Sequence, residues 1–189
     1  MRVISGIARG KRLKAPSGMN TRPITDMIKE ALFNVIGSDI IETSFLDLFA
    51  GSGSVGIEAL SRQASKVIMV DNSFEAIKII KANIDNCGFI DGFEIHRNDV
   101  FKAIDLLHRK GARFDYIYVD PPFTCESIFP RVMQALDKAD ILAEKGLIII
   151  RTPRKLVLKN GLNRIIRYRI NEYGESVLNY YSLKEDTCK

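Results

Sequence analysis

The sequence predicts an α/β protein built on a doubly wound, mostly parallel sheet, and three observations lead there. Short apolar runs alternate with amphipathic stretches five times between residues 45 and 151, the pattern of consecutive βα units. The first run, Phe45 to Phe49, passes into Gly51-x-Gly53-x-x-Gly56 and then into an amphipathic stretch carrying Val55, Ile57, Ala59 and Leu60. Twenty residues after Gly51, at the end of the second run Val67 to Val70, stands Asp71, placed to meet the ribose hydroxyls of a nucleoside.

The elements follow in order. Arg2 to Ser5 and Lys11 to Lys14, around Gly6 and Gly10, read as a small hairpin. A helix comes next, with Thr25 as N-cap, Asp26 in the first turn, Ile28, Leu32, Val35 and Ile36 on one face, and Gly37 as its stop. Strand 45–49, helix 54–63 and strand 66–70 lead to helix 73–86, where Asn72 and Glu75 resemble a capping box and Ile77, Ile80 and Ile84 form the buried stripe. Strand 93–97, helix 100–110, strand 115–119, helix 126–139 and strand 146–151 complete the series. Segments 164–170 and 177–183, joined through Tyr173-Gly174-Glu175, read as a hairpin closing one edge. With no repeat, low-complexity tract or linker, residues 1–189 read as one domain with a basic hairpin extension at about 1–22. In such a sheet the ligand lies outside the carboxyl ends of the strands.

Composition narrows the class. A chain of 189 residues with 46% hydrophobic content suits a single core that buries about 70% of the unfolded surface. No apolar run approaches the ~20 residues of a membrane span, and the N-terminus has no secretory apolar region, so a cytoplasmic protein is expected. Cys87, Cys125 and Cys188 are odd in number and far apart, as for reduced thiols, and form no C-x-x-C pair. With only His96 and His108 beside them, no metal is expected.

The net charge of +5 is unevenly spread. Residues 1–25 carry Arg2, Arg9, Lys11, Arg12, Lys14 and Arg22 without an acid. Residues 147–171 carry Arg151, Arg154, Lys155, Lys159, Arg164, Arg167 and Arg169, again without one. The stretch between is acidic, at −6. Two basic segments that meet in space would make a footprint for a polyanion; two that do not are solvated edges.

Two motifs carry the chemistry. The glycine-rich turn and Asp71 fit NAD as well as S-adenosylmethionine, but Asp47, near the end of the first strand, separates them. A carboxylate there suits the ammonium and sulfonium groups of S-adenosylmethionine and would repel a pyrophosphate. The second motif is Asp120-Pro121-Pro122-Phe123, directly after the apolar run Tyr116 to Val119. It is similar to the Asp-Pro-Pro-Phe/Tyr signature of methyltransferases acting on exocyclic amino groups of nucleobases. An aromatic amine is a poor nucleophile because its lone pair is delocalised, so the site must favour its pyramidal form. Asp120 and the Pro121 carbonyl would accept its two N–H bonds, Pro122 would stiffen the turn, and Phe123 would stack on the base. Asp and Pro are also ordinary residues of a strand-ending turn. Cys125, two residues on, lacks the Pro-Cys setting of cytosine-C5 chemistry and is not read as a nucleophile.

With these motifs, the opening Met-Arg-Val-Ile-Ser-Gly, Arg9-Gly-Lys-Arg-Leu13 and Thr21-Arg-Pro-Ile-Thr-Asp-Met-Ile-Lys-Glu-Ala-Leu-Phe33 resemble the RsmD family of small-subunit rRNA guanine-N2 methyltransferases over nearly the whole chain. Ile24 departs, standing where that family usually has Thr. The resemblance implies a class I S-adenosylmethionine-dependent methyltransferase fold, Rossmann-like, with seven strands and a C-terminal antiparallel hairpin. It implies that Asp47, Phe49, Gly51, Ser52 and Gly53 surround the methionine end of the cofactor. Asp71 would hold the ribose and Asp99 lie near the adenine amino group, with Asn72 and Val100 also cofactor-binding, while Arg22 and Thr25 close the pocket or serve helix entry and capping. Asp120, Pro121, Pro122 and Phe123 would be catalytic, acting in direct in-line transfer governed by positioning and electrostatics. Arg2, Arg9, Lys11, Arg12 and Lys14 would contact ribosomal RNA, naked or in a small-subunit assembly particle. The turn alone serves adenine-N6 and cytosine-N4 enzymes equally, so guanine rests on the resemblance. An NAD-dependent oxidoreductase and a non-catalytic RNA-binding module are the other classes, the first opposed by Asp47 and the Asp-Pro-Pro-Phe turn and the second by an intact set of Asp47, Asp71 and Asp120.

Overall fold

A computed structural model describes residues 1–15 and 24–184. The chain divides into two compact units, Met1–Val100 and Phe101–Lys189. In the first, β1 (Ser44–Leu48) and β3 (Phe93–Arg97) each pair in parallel with β2 (Lys66–Asp71). Phe45, Leu46, Leu48, Val67, Met69 and Val70 are all nearly inaccessible, so β1 and β2 are covered on both faces, which explains their unbroken apolar runs.

Three helices belong to this unit: α1 (Asp26–Ile36), α2 (Ser54–Ser61) and α3 (Phe74–Cys87). Thr25 caps α1 by accepting the Ile28 N–H at 3.3 Å, and Gly37 ends it at φ +68°. Its buried stripe is Ile28, Lys29, Leu32, Phe33 and Ile36; Val35 is only half-buried. The cap of α3 is Ser73, whose Oγ accepts the Ala76 N–H at 3.3 Å, and not the expected Asn72. Asn72 is exposed, because Ser73 sits one residue nearer the first turn and takes the N–H that Asn72 would have capped.

The N-terminal hairpin forms with a single bridge, Arg2 to Arg12, and with Val3 donating to the Lys11 carbonyl at 2.9 Å. Val3, Ala8 and Leu13 anchor it by burial. Gly6, at φ +82°, is obligatory there: a Cβ would lie 1.7 Å from the Ser61 carbonyl oxygen.

In the second unit β4 (Phe114–Val119) pairs in parallel with β5 (Leu142–Pro153), which pairs antiparallel with β7 (Ser176–Leu183), itself antiparallel to β6 (Ile165–Tyr173). The expected closing hairpin is therefore present. β5 starts earlier than its apolar run because the β4 register jumps from Phe114↔Leu142 to Tyr116↔Leu147. Helix α4 (Val100–Arg109) precedes β4, and α5 (Ile128–Lys138) follows it. Pro130 is tolerated in the first turn of α5, where an N–H would have no helical acceptor. Among the described residues no helix is long and apolar enough to cross a membrane.

Candidate active site

The glycine-rich turn is shaped by backbone that side chains resist. Gly51 and Gly53 lie at φ +56° and +74°, and Phe49, without glycine's freedom, is held at +62°. Gly56 serves packing: a Cβ there would come within 2.7 Å of the Met69 side chain, so it lets α2 close onto β2.

Two carboxylates organise this turn. Asp47, 1% exposed, accepts the Gly56 N–H through Oδ2 at 2.9 Å, capping α2 from β1 because its N-cap, Gly53, has no side chain to do so. Asp71 accepts the Gly51 N–H at 2.8 Å and the Ser73 N–H at 2.9 Å, joining the turn to the start of α3. The Asn98 N–H meets the Asp71 carbonyl at 3.0 Å, and beyond it Asp99 is exposed while Val100 is buried. The anion site that a helix N-terminus offers a pyrophosphate is thus occupied by Asp47 itself. No Lys or Arg occurs between Ser44 and Ser61 to offset a second anion. This donor set fits the cationic sulfonium and ammonium of S-adenosylmethionine and opposes NAD.

A further side chain, invisible to motif reading, supports the turn. Asn83 of α3, 1% exposed, donates to the Ser52 and Lys14 carbonyls, both at 2.9 Å, and accepts the Lys14 N–H at 2.8 Å. It links the glycine-rich turn to the basic hairpin. The hairpin is also fixed by Glu58 of α2, which accepts the Ile4 and Ser5 N–H groups at 2.7 and 3.0 Å and pairs with Lys29 and Arg62 at 3.4 and 2.9 Å. Lys29 and Glu58 are both 0% exposed, and Lys29 also donates to the Arg2 carbonyl at 2.6 Å. Burial lowers the Lys29 ammonium below its ordinary range, with Glu58 pulling it back. Arg2, Arg9, Lys11, Arg12 and Lys14 all stay exposed; Arg2 pairs with Asp26 at 3.2 Å. Thr25 is a helix cap, the second of its two expected roles, and Arg22 lies outside the described residues.

In the second unit, the Asp-Pro-Pro-Phe turn leaves β4 with Pro121 buried and Asp120, Pro122 and Phe123 half-buried. The Cys125 N–H closes it on the Pro122 carbonyl at 3.2 Å, and the Cys125 thiol is exposed. Sequence reading missed the partner of Asp120. Arg151 of β5, 2% exposed, donates through Nη1 to Asp120 Oδ2 at 2.9 Å and Oδ1 at 3.3 Å. Its Nε and Nη2 reach Ser176 Oγ at 3.3 and 3.2 Å, and its guanidinium carbon lies 4.8 Å from the Phe123 ring centroid. The Tyr118 hydroxyl donates to Asp120 Oδ2 at 3.2 Å. Burial pushes the Asp120 carboxyl above the usual range while Arg151 and Tyr118 pull it back. Burial also disfavours the Arg151 cation, but Asp120 and Tyr118 together more than offset it, and arginine stays charged in proteins. The signal lay in Leu147-Ile-Ile-Ile-Arg151: a charge ending a wholly apolar run needs a buried partner.

The second basic segment is largely engaged within its own unit. Arg154 pairs with Glu172, Arg164 with Asp140, Arg167 bonds Asn179 and Arg169 bonds Asn171. With Arg151 buried on Asp120, these side chains serve the strands that carry them.

A family model described as Conserved hypothetical protein 95 matches residues 1–182. A Bacillus subtilis protein provisionally named as an rRNA methyltransferase, YlbH, is 37% identical over 92% of this chain and 94% of its own length. Ribosomal RNA small subunit methyltransferase D of Escherichia coli is 30% identical over 86% of this chain and 77% of its own. A solved structure from Thermus thermophilus, described as a hypothetical protein, superposes with a TM-score of 0.84 at 27% identity, covering 97% of this chain and 99% of that one. The fold is the class I, Rossmann-like methyltransferase fold, and the chain belongs to the family described as Conserved hypothetical protein 95, the RsmD family whose motifs it carries.

Proposed function

We propose that this protein transfers the methyl group of S-adenosylmethionine to the N2 amino group of a guanine in small-subunit ribosomal RNA. The observation that carries the reading is Asp120, a carboxylate ending β4 in an Asp-Pro-Pro-Phe turn with a 17% exposed side chain and a half-buried aromatic ring three residues on. Asp47, Asp71 and the positive-φ turn of Phe49, Gly51 and Gly53, with Ser52, Asn72, Asp99 and Val100 beside them, would hold the cofactor, which supplies an electrophilic methyl. Asp120 and the Pro121 carbonyl accept the amine N–H bonds, and Phe123 stacks on the base. Transfer needs no covalent intermediate; it needs the amine lone pair aimed and the developing charge stabilised.

The RNA contact falls to the N-terminal hairpin. Its residues Val3, Ala8 and Leu13 and much of its backbone are committed to the protein, while Arg9, Lys11, Arg12 and Lys14 carry exposed charge and Arg2 is exposed beside Asp26. Residues 1–189 work as one catalytic domain in the cytoplasm, on RNA that is naked or within an assembling small subunit.

Mass-spectrometric nucleoside analysis of small-subunit rRNA from a strain lacking the protein tests the reading. N2-methylguanosine should fall and return with the wild-type chain. The Asp120→Ala chain should not restore it, although it binds S-adenosylhomocysteine within a few-fold of wild type. Loss of N6-methyladenosine or N4-methylcytosine instead would replace guanine, and no change in any methylated nucleoside would remove the rRNA substrate.

A further inference from the structure

We infer that Arg151 is a positioning residue for methyl transfer: anchored on Ser176, its guanidinium fixes the Asp120 carboxylate so that Oδ1 meets the incoming amine, and it braces the Phe123 ring. The inference rests on the reading of Asp120 as the amine's acceptor.

The geometry assigns different tasks to the two carboxylate oxygens. Oδ2 takes the shorter Arg151 bond at 2.9 Å and the Tyr118 hydroxyl at 3.2 Å, while Oδ1 takes the long arm of Nη1 at 3.3 Å. Oδ1 therefore keeps the greater capacity to accept a substrate N–H. Arg151 can set this asymmetry because it is itself held: Nε and Nη2 both reach Ser176 Oγ on β7, and the side chain is 2% exposed. The same guanidinium covers one face of Phe123, 4.8 Å from the ring centroid, and Phe129 packs tilted at 6.5 Å. A base stacking on Phe123 is left the other face, which fixes its approach relative to Oδ1.

Arg151 also opposes protonation of Asp120. A buried carboxyl drifts toward its neutral form, and a neutral carboxyl presents an O–H where the amine needs an acceptor. Among the described residues, the charged and titratable groups meeting Asp120 are Arg151 from β5 and Tyr118 from its own strand, and Arg151 is the cation of the two.

The test compares kcat against pH for the full chain and its Arg151→Gln and Arg151→Lys variants, on S-adenosylmethionine and small-subunit RNA. Arg151→Gln should lower kcat about ten- to a hundred-fold at neutral pH through misplacement of the acceptor. Its acid limb should move to higher pH, because the charge opposing protonation of Asp120 is gone, and KM for S-adenosylmethionine should stay near wild type. Arg151→Lys keeps the charge and loses the fork to Ser176, so its acid limb should stay in place while kcat falls. A wild-type kcat in Arg151→Lys, or a Gln variant whose loss is the same at every pH, overturns the inference; if the Gln variant does not fold, the Lys variant alone decides. Asp120→Ala, measured alongside, separates the two readings. Near-normal turnover there removes Asp120 as the acceptor, whereas an inactive Asp120→Ala beside an unshifted Arg151→Gln removes only the role of Arg151.

Discussion

The two units each bury a cation against a carboxylate, and the pairs differ in what is left over. Glu58 is fully engaged: two backbone N–H groups, Arg62 and Lys29 divide its oxygens, and neither it nor Lys29 has any exposure. Asp120 is tightly paired through Oδ2 but loosely through Oδ1, and its side chain keeps 17% exposure. A saturated buried carboxylate is a fastening, here between the N-terminal hairpin, α1 and α2. An unsaturated one, held rigidly and left with acceptor capacity, has a lone pair to offer the amine in the function proposed above. The desolvation cost of each charge is large, and Glu58 meets it with donors on both oxygens, whereas Asp120 has a single long bond on Oδ1.

The largest expected effect breaks the comparison at its saturated end. Glu58→Ala leaves Lys29 enclosed without its carboxylate and removes the acceptor for Ile4 and Ser5, so unfolding stability should fall by about 3–5 kcal/mol. Urea titration of wild type and variant measures it. If Glu58→Ala unfolds at nearly the wild-type midpoint, saturation is no mark of a structural pair.

A smaller effect sharpens the contrast within the first unit, where Asp71 is again a carboxylate with internal partners. Its two backbone bonds, to Gly51 and Ser73, leave it 9% exposed. Asp71→Ala should weaken S-adenosylhomocysteine binding by about 1–3 kcal/mol, read by calorimetry, through loss of charge-assisted hydrogen bonds and of the brace on the turn. Tight NADH binding with no response to S-adenosylhomocysteine would instead restore the dinucleotide reading that Asp47 opposes.

Legibility follows the same line between pattern and partner. The βα series, the Thr25 cap and the closing hairpin are readable because periodicity and capping are local, and the two motifs are readable because their spacing is local too. The partners are not. Lys29 belongs to the buried stripe with Phe33 and Ile36, but a lysine there reads as surface until Glu58 arrives from 29 residues away. Asn83 looks like any polar position of an amphipathic helix, yet it joins Lys14 to Ser52. Arg151 falls with six other cations into an apparent patch, because net charge counts side chains without asking which are already paired. Asn72 loses the capping role to Ser73 by one residue, the usual limit of reading a helix boundary from sequence.

The smallest effect concerns the hairpin that Glu58 fastens, and it asks whether docking and RNA contact are separate. Docking runs through backbone: the Ile4, Ser5 and Lys14 N–H groups and the Arg2, Arg12 and Lys14 carbonyls meet Glu58, Asn83, Lys29 and Asn86. The side chains of Arg9, Lys11 and Arg12 take no part in those bonds and are exposed, so replacing all three with Gln should leave folding and S-adenosylhomocysteine affinity unchanged. RNA affinity should weaken, and its dependence on log[salt] should flatten, because each lost phosphate contact removes the release of a condensed counterion, about 0.7 per contact on single-stranded RNA. Filter binding across a salt series reads both at once. A weaker but equally salt-dependent complex would mean that the hairpin shapes the surface without touching phosphate. An unchanged slope and affinity would make these three charges solvated surface, as pairing has already made most of the second basic segment structural.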